Sequence, residues 1–404
     1  MSSESLSTSN TVVNNETSKP KLWSATYVLA LISVAVASIT MTMLMPLLPI
    51  YIKMIGGNLS LAGVVVSVFT LAALIGRPFF AMLIDKYGRK PVLIIGFTLI
   101  MIGCFTYRFI AIIGVLMIIR VVHGIGYGAS TNAAGTIVAD VVPKEIRGKG
   151  IGYFGFVTAA SLALGPATAL TIMKHTDIKT AFLVTGVLAA IGLVTACFLS
   201  YEKKQVVQQV QETNTQTKGV FSAGYEKSAL PASLVMLFVA FAYAGIMTFL
   251  PTYSGVLKMG DINIFFFVYA GSLLITRLIV DQITKTRNIS VVLLPGIGLM
   301  AVSFILLGFT KTLPSFLIAA VFFGVGYGSV QPALNALVIS ACPPAKRGAA
   351  NSTFFSALDV GIGLGALCWG LVSGSFGFPA IYIGCIAFMI FAAISLLTLK
   401  QKSV

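Results

Sequence analysis

The chain has 404 residues, of which 57% are hydrophobic and only 10% are charged. A soluble protein cannot bury so large an apolar fraction, so the composition excludes a soluble protein and indicates one that sits in lipid. The formal net charge of +15 does not require nucleic-acid binding, because the basic residues are scattered over short loops that can face anionic lipid.

The hydropathy pattern divides the chain into tails, apolar stretches and one long polar interruption. Residues 1–21 are rich in Ser, Thr and Asn and predict a disordered cytoplasmic tail. Twelve apolar stretches follow, each near the roughly 20 residues with which a helix crosses about 30 Å of hydrocarbon. The predicted spans are 22–52, 60–84, 91–107, 111–140, 148–174, 179–200, 229–257, 263–283, 289–309, 313–340, 348–374 and 378–399. Polar residues 201–228 predict a flexible cytoplasmic linker, and residues 400–404 a short cytoplasmic tail.

The two halves of the chain resemble each other at a spacing of 200 residues. Residues 124–128 read GIGYG and residues 324–328 read GVGYG. Five further residues recur without a gap 200 positions later, namely Pro143, Arg147, Gly148, Phe154 and Gly165. So long a period indicates a duplicated half-molecule, as in many secondary transporters. The sequence therefore predicts an all-α integral membrane protein with two six-helix pseudo-repeats, residues 22–200 and 229–399.

The distribution of basic residues predicts the orientation. Most of the 27 Lys and Arg residues fall on the side of the N-terminus, and fewer fall on the other side, namely Lys53, Arg108, Lys174, Lys179, Lys258 and Lys311. The positive-inside rule then places both termini in the cytoplasm. The polar linker, the inner tails and the absence of a targeting peptide favour a bacterial plasma membrane. The expected partners are the lipid bilayer, protons and a small-molecule substrate, and we expect a monomer.

Residues 81–91, between the second and third spans, read AMLIDKYGRKP. They resemble the loop signature G-x-L-x-D-[RK]-x-G-[RK]-[RK] of the major facilitator superfamily, with alanine in place of the first glycine. In that family the carboxylate, here Asp85, and the cations, here Arg89 and Lys90, form a latch that breaks when the halves rock, and Gly88 permits the turn.

A degenerate copy of this loop lies in the second half, where residues 277–287 read RLIVDQITKTR. Arg277 follows Arg77 by 200 residues, and Asp281 is the expected counterpart of Asp85. We expect Arg77, Arg277 and Asp281 to belong to the latch, although ordinary charge clusters at span ends are the alternative for both loops.

The fourth span carries an arginine followed by glycines, Arg120, Gly124 and Gly126, which resembles the R-x-x-x-G-x-G motif of the same superfamily. The resemblance implies that Arg120 takes part in proton coupling; the alternative is a structural arginine that binds helix-end carbonyls. His123 lies on the same helical face and can titrate near neutral pH, so it is a second candidate, unless it is a packing residue.

Two further predictions concern the fifth and eleventh spans. Gly165-Pro166 resembles the Gly-Pro helix that marks exporters of the superfamily, and a proline there bends a cavity-lining helix, although generic close packing is the alternative. Asp359 is the carboxylate predicted deepest in a span, which makes it a candidate proton carrier. Its alternative is a hydrogen bond to a neighbouring helix without any change of protonation.

The sequence predicts a mixed apolar and aromatic cavity without an anion-binding cluster or a cation trap, which suits amphipathic compounds. The candidate cavity residues are Tyr127, Asn132, Tyr243, Tyr327, Gln331, Asn335, Phe354 and Trp369. The chain has no nucleotide-binding loop, no catalytic group pattern and no metal-ligand spacing, so we expect no cofactor beyond a proton gradient. The predicted function is proton-coupled efflux; the alternatives are a metabolite exporter, an uptake permease, and a channel or non-transporting sensor.

Overall fold

The computed structural model describes residues 22–143, 146–199, 226–286, 289–343 and 346–402, apart from a few side chains within the helices. Its long helices are α1 (Ala25–Met54), α2 (Leu59–Tyr87), α3 (Arg89–Thr106), α4 (Ile113–Val141), α5 (Arg147–His175), α6 (Ile178–Phe198), α7 (Leu230–Val256), α8 (Asn263–Thr286), α9 (Ser290–Phe309), α10 (Leu313–Ser340), α11 (Arg347–Phe376) and α12 (Phe378–Lys402). A short 3-10 turn, Lys227–Ala229, precedes α7.

Each of these helices contains a stretch long and apolar enough to cross a membrane, and the stretches number 12 in the described part of the chain. The predicted fold class is therefore confirmed. No helix end differs from its predicted position by more than three residues. Helix α3 begins at Arg89, two residues before its predicted start, because Gly88 has a φ of 91° and forms a one-residue turn after α2. An L-residue rarely adopts that φ, so glycine is required there.

Local sequence signals start several helices at the residues observed. The side chains of Ser24, Asn58 and Asp177 each accept a hydrogen bond from a backbone N–H in the first turn of α1, α2 and α6, respectively. These caps satisfy backbone donors that the helix itself leaves unpaired. The carboxylate of Asp177 accepts from both the hydroxyl and the backbone N–H of Thr180, which lowers its pKa below the usual value.

The short connections make successive helices antiparallel, so the bundle has two faces. We call the face where α1 and α7 begin the terminal face, and the opposite one the distal face. Within the first six helices, α1 packs on α5 and α2 on α4; in the last six, α7 packs on α11 and α8 on α10. The two sets meet along α2 and α11, α5 and α8, and α1 and α7.

Helices α1 and α7 occupy the centre of the bundle. In their most apolar stretches 72% and 83% of the residues are buried, against 33% in α12, whose apolar side chains face outward to where lipid would lie. The division into two six-helix domains joined by residues 201–228 stays a prediction, because most of that linker lies outside the described residues.

Candidate functional site

A buried ion pair joins the two sets of six helices. Nη2 of Arg77 on α2 lies 2.5 Å from Oδ2 of Asp359 on α11, and the side chains are 16% and 5% exposed. Asn132 on α4 donates a hydrogen bond of 3.1 Å to the backbone carbonyl of Arg77. The structure thus brings together two residues for which the sequence predicted separate roles, one in a latch and one in proton coupling.

Small residues pack α2 tightly against α11 between this pair and the distal face. A Cβ atom at Gly63 would overlap the carbonyl oxygen of Ala366. Ser67 donates to the carbonyl of Gly363 at 2.6 Å, and Ser60 donates to that of Gly370 at 3.4 Å. We call this contact the α2–α11 seam. Because the backbones touch directly, α2 and α11 cannot separate on the distal side without breaking these bonds.

A second ion pair joins the two sets at the distal face. Nζ of Lys174, in the last turn of α5, lies 2.5 Å from Oδ2 of Asp261, which precedes α8. The hydrogen bond from Lys174 holds the pKa of the Asp261 carboxyl below its usual value, although partial burial opposes that effect. Neither residue is a predicted site residue, because lone charges at span ends carry no signal of their partner in the sequence.

The first pair has no acidic counterpart at the repeat-related position. Nη1 of Arg277 donates to Oε1 of Gln331 on α10 at 2.9 Å. Its Nη2 lies 3.1 Å from where a Cβ would stand at Gly155 on α5. At the position 200 residues before Asp359, however, α5 carries Ala159. The two halves therefore differ in charge at the interface although their helices correspond.

Three predicted cavity tyrosines lie together near the bundle axis. The rings of Tyr243 and Tyr327 stack with 4.7 Å between centroids, and both are at most 1% exposed. Tyr127 lies close enough to Arg77 and Asp359 to interact with both charges. The hydroxyl of Tyr327 has no hydrogen-bond partner among the described residues, whereas that of Tyr243 lies within reach of the Tyr269 hydroxyl. Aromatic rings with a spare hydroxyl suit an amphipathic ligand.

Three other candidate cavity residues have packing or hydrogen-bond contacts of their own. Nε1 of Trp369 donates to the carbonyl of Phe241 at 2.8 Å, so this ring packs between α7, α11 and α12. Asn335 donates to Oδ1 of Asn351 at 3.0 Å, and Phe354 is fully buried. Their predicted roles in substrate binding stay predictions, and for Trp369 the position favours packing.

Arg120 and His123 occupy a closed polar cluster inside the first six helices. Nε of Arg120 donates to the carbonyl of Val65 at 3.1 Å, and its guanidinium lies 4.1 Å from the centre of the Phe69 ring. Nδ1 of His123 is 3.2 Å from the Tyr107 hydroxyl, and both residues are fully buried. The contacts described for Arg120 thus involve a carbonyl, an aromatic ring and the Tyr107 hydroxyl.

The predicted latch is described only in part. Nε of Arg89, just after Gly88, lies 3.1 Å from Oδ2 of Asp140 at the end of α4, while Lys90 lies in the same first turn of α3. The side chains of Asp85 and Asp281 lie outside the described part.

The Gly165-Pro166 pair lies within α5, where a Cβ at Gly165 would overlap Oγ1 of Thr42 on α1. Glycine is needed there for close packing of α5 against α1.

The match to known families decides the identity. The model of the Major Facilitator Superfamily matches residues 30–365 and residues 290–403. The chain belongs to this superfamily.

Its members are transporters, so the chain is a multi-pass membrane transporter and not an enzyme, as the sequence predicted.

Relatives and solved structures agree with this assignment. The chain is 27% identical over 378 residues to the multi-drug resistance efflux pump PmrA of Streptococcus pneumoniae, covering 86% of this chain and 90% of that protein. It is 22% identical to the staphylopine export protein of Staphylococcus aureus, covering 82% and 85%. The fold resembles that of the nucleoside transporter NupG with a TM-score of 0.68, 14% identity and coverage of 93% and 98%. It also resembles the human organic anion transporter MFSD10, with a TM-score of 0.65, 16% identity and coverage of 92% and 99%.

Proposed function

We propose that this transporter exports small amphipathic organic compounds in exchange for protons, with both termini in the cytoplasm of a bacterial cell. The Arg77–Asp359 pair is the observation on which this proposal rests, because it links a protonatable group to the contact between the two halves. The PmrA similarity supports efflux of drug-like compounds.

The position of the contacts suggests which face is closed. The hydrogen bonds described between the two sets of helices include those of Ser60, Ser67, Arg77 and Lys174. Each of them lies between the level of the Arg77–Asp359 pair and the distal face. Arg77 itself lies about 15 Å from the terminal end of α2, at 1.5 Å per residue. With the terminal face in the cytoplasm, this arrangement corresponds to a carrier closed to the outside.

The ion pair can couple the flux of protons to the flux of substrate. Opening the distal face separates Arg77 from Asp359, so it costs the attraction between these two charges. A proton on Asp359 neutralises the carboxylate, so this attraction is lost before the face opens, and a substrate that takes over the contacts of one partner has the same effect. The empty, deprotonated carrier stays closed, so one flux depends on the other.

The substrate would bind beside the pair, on the Tyr127, Tyr243 and Tyr327 surface. Stacked rings supply apolar area, and the Tyr327 hydroxyl, which has no partner among the described residues, can donate or accept a hydrogen bond. Occupation of this surface places the substrate next to Arg77 and Asp359, where it competes with their mutual contact.

The test is substrate-induced proton movement in inverted vesicles that contain the purified protein. We expect lipophilic cations and dyes to release protons from acidified vesicles with the wild type, and not with Asp359→Asn. Arg120→Ala distinguishes a coupling role of Arg120 from a structural one. If the arginine is structural, its loss lowers the melting temperature but leaves the number of protons moved per substrate unchanged. If no compound moves protons while the protein remains folded, the drug-export proposal is wrong.

A second candidate is an exporter of one endogenous metabolite. The similarity to the staphylopine export protein favours it. In that case none of the lipophilic cations and dyes moves protons, whereas one compound in a metabolite extract is transported with a saturable rate and exchanges across the vesicle membrane.

A further inference from the structure

A large apolar groove lies outside the central site, on the side of the last six helices. Its volume is about 760 Å³, and it lies between α8 and α9 with α10 as its floor. Ile275, Ile279 and Val291 form its rim and are 52–61% exposed. The groove therefore opens sideways, toward the hydrocarbon that surrounds a membrane span.

The walls of the groove offer few hydrogen bonds to a ligand. Most of the lining consists of Val, Ile, Leu, Pro and Gly. Of the three hydroxyl residues in the lining, Thr276 donates to the carbonyl of Ser272 at 2.7 Å, and Ser329 donates to that of Gly326 at 2.8 Å. These hydroxyls are satisfied within their own helices, so the occupant that fits is hydrocarbon.

The length of the groove matches one leaflet of a bilayer. On α8 it extends from Ser272 to Ile283, which is about 16 Å at 1.5 Å per residue. The hydrocarbon core is about 30 Å thick, so the groove runs from the terminal face to about the middle of the membrane. An acyl chain anchored by a headgroup at the terminal face has this length and this position.

The first half of the molecule carries larger side chains at the repeat-related positions. Phe79 and Phe80 on α2 stand at the positions of Ile279 and Val280 on α8. The Phe80 ring is 4% exposed and lies 3.6 Å from where a Cβ would stand at Gly76. The smaller side chains of α8 thus leave room that an aromatic ring takes up on α2.

We propose that this groove binds one acyl chain of a phospholipid from the leaflet on the terminal side. In the sequence, Lys285 and Arg287 follow the groove residue Ile283 by two and four positions, and such cations attract an anionic headgroup. The bound chain completes the packing of α8 against α9, which the protein's own side chains leave incomplete.

The proposal is tested by native mass spectrometry of the full chain in detergent, with phosphatidylglycerol added in graded amounts. Val280→Phe copies the first half and fills the groove, and Ile279→Phe is a second filling variant. Ile305→Phe places the same ring on the outer surface of α9, away from the groove, where Ile305 is 44% exposed. We expect the wild type and Ile305→Phe to retain one lipid per chain under conditions where Val280→Phe retains at least fivefold less.

Three results would overturn the proposal. One is equal lipid retention by the wild type and both filling variants, each folded as judged by its melting temperature. Another is a wild type that retains no lipid after mild delipidation. The third is a two-chain mass that Val280→Phe abolishes, because the groove would then be covered by a second copy of the chain. The measurement requires no transport, so its outcome is independent of the function proposed above.

Discussion

Neutralising Asp359 should shift the carrier toward a state that is open at the distal face. The Asp359→Asn substitution keeps the size of the side chain but leaves Arg77 without its carboxylate in a site where the arginine is only 16% exposed. Loss of one partner of a buried pair costs about 3–5 kcal/mol, and we take the lower end because Arg77 retains some exposure. About 3 kcal/mol corresponds to a roughly 100-fold change in the closed-to-open equilibrium.

The assay is double electron–electron resonance between spin labels at positions 179 and 258, on exposed distal segments of the two halves. We expect the Asp359→Asn protein to populate longer distances than the wild type at neutral pH. Glu226→Gln is the matched control, because its partner Lys346, at 3.0 Å, lies within the same half. That control should leave the distances unchanged.

A double variant tests the ion pair without leaving an unpaired charge. Arg77→Gln combined with Asp359→Asn removes both charges, so no uncompensated charge remains and much of the closed population should return. Two results would show that the ion pair does not hold the distal face closed. One is an open population in the double variant that equals the sum of the increases in the two single variants. The other is an Asp359→Asn protein with the same distal distances as the wild type.

Further predictions concern the seam, the distal ion pair and the tyrosine surface. Gly63→Ala should force α2 from α11 at a cost of about 1–3 kcal/mol, lowering the melting temperature and lengthening the distal distances, whereas Gly271→Ala, with open space around its Cβ, should do neither. The depressed pKa of Asp261 means that its contribution to the closed state is present above about pH 4 and lost below it. Asp261→Asn should therefore remove the change in the distal spin-label distances that acidification causes in the wild type. Because the pair is so exposed, it should stabilise the closed state by less than about 1 kcal/mol. A change in these distances centred near neutral pH would contradict this prediction. Tyr327→Phe deletes a hydroxyl without a partner among the described residues, so stability should hold while the substrate KM rises about 2–10-fold; an unchanged KM would place the substrate elsewhere.

The sequence alone determined the architecture of this transporter. In lipid every span must be a helix of a fixed minimum length, so composition and segment length predict twelve of them without any knowledge of packing. The repeat at a spacing of 200 residues indicated the duplication, and the loop around Gly88 indicated the family. These are local or periodic properties, which each segment carries by itself.

Only the tertiary structure decided which helices face each other across the interface. Arg77 and Asp359 are 282 residues apart, and nothing in either helix indicates the other as its partner. Lipid-facing and protein-facing sides of a span are both apolar, so hydropathy does not reveal the contact face. The pairing follows from shape, because Gly63 and Gly363 let α2 and α11 approach closely enough for the arginine to reach the carboxylate. The same limit applies to Trp369, whose position against Phe241 depends on how three helices meet.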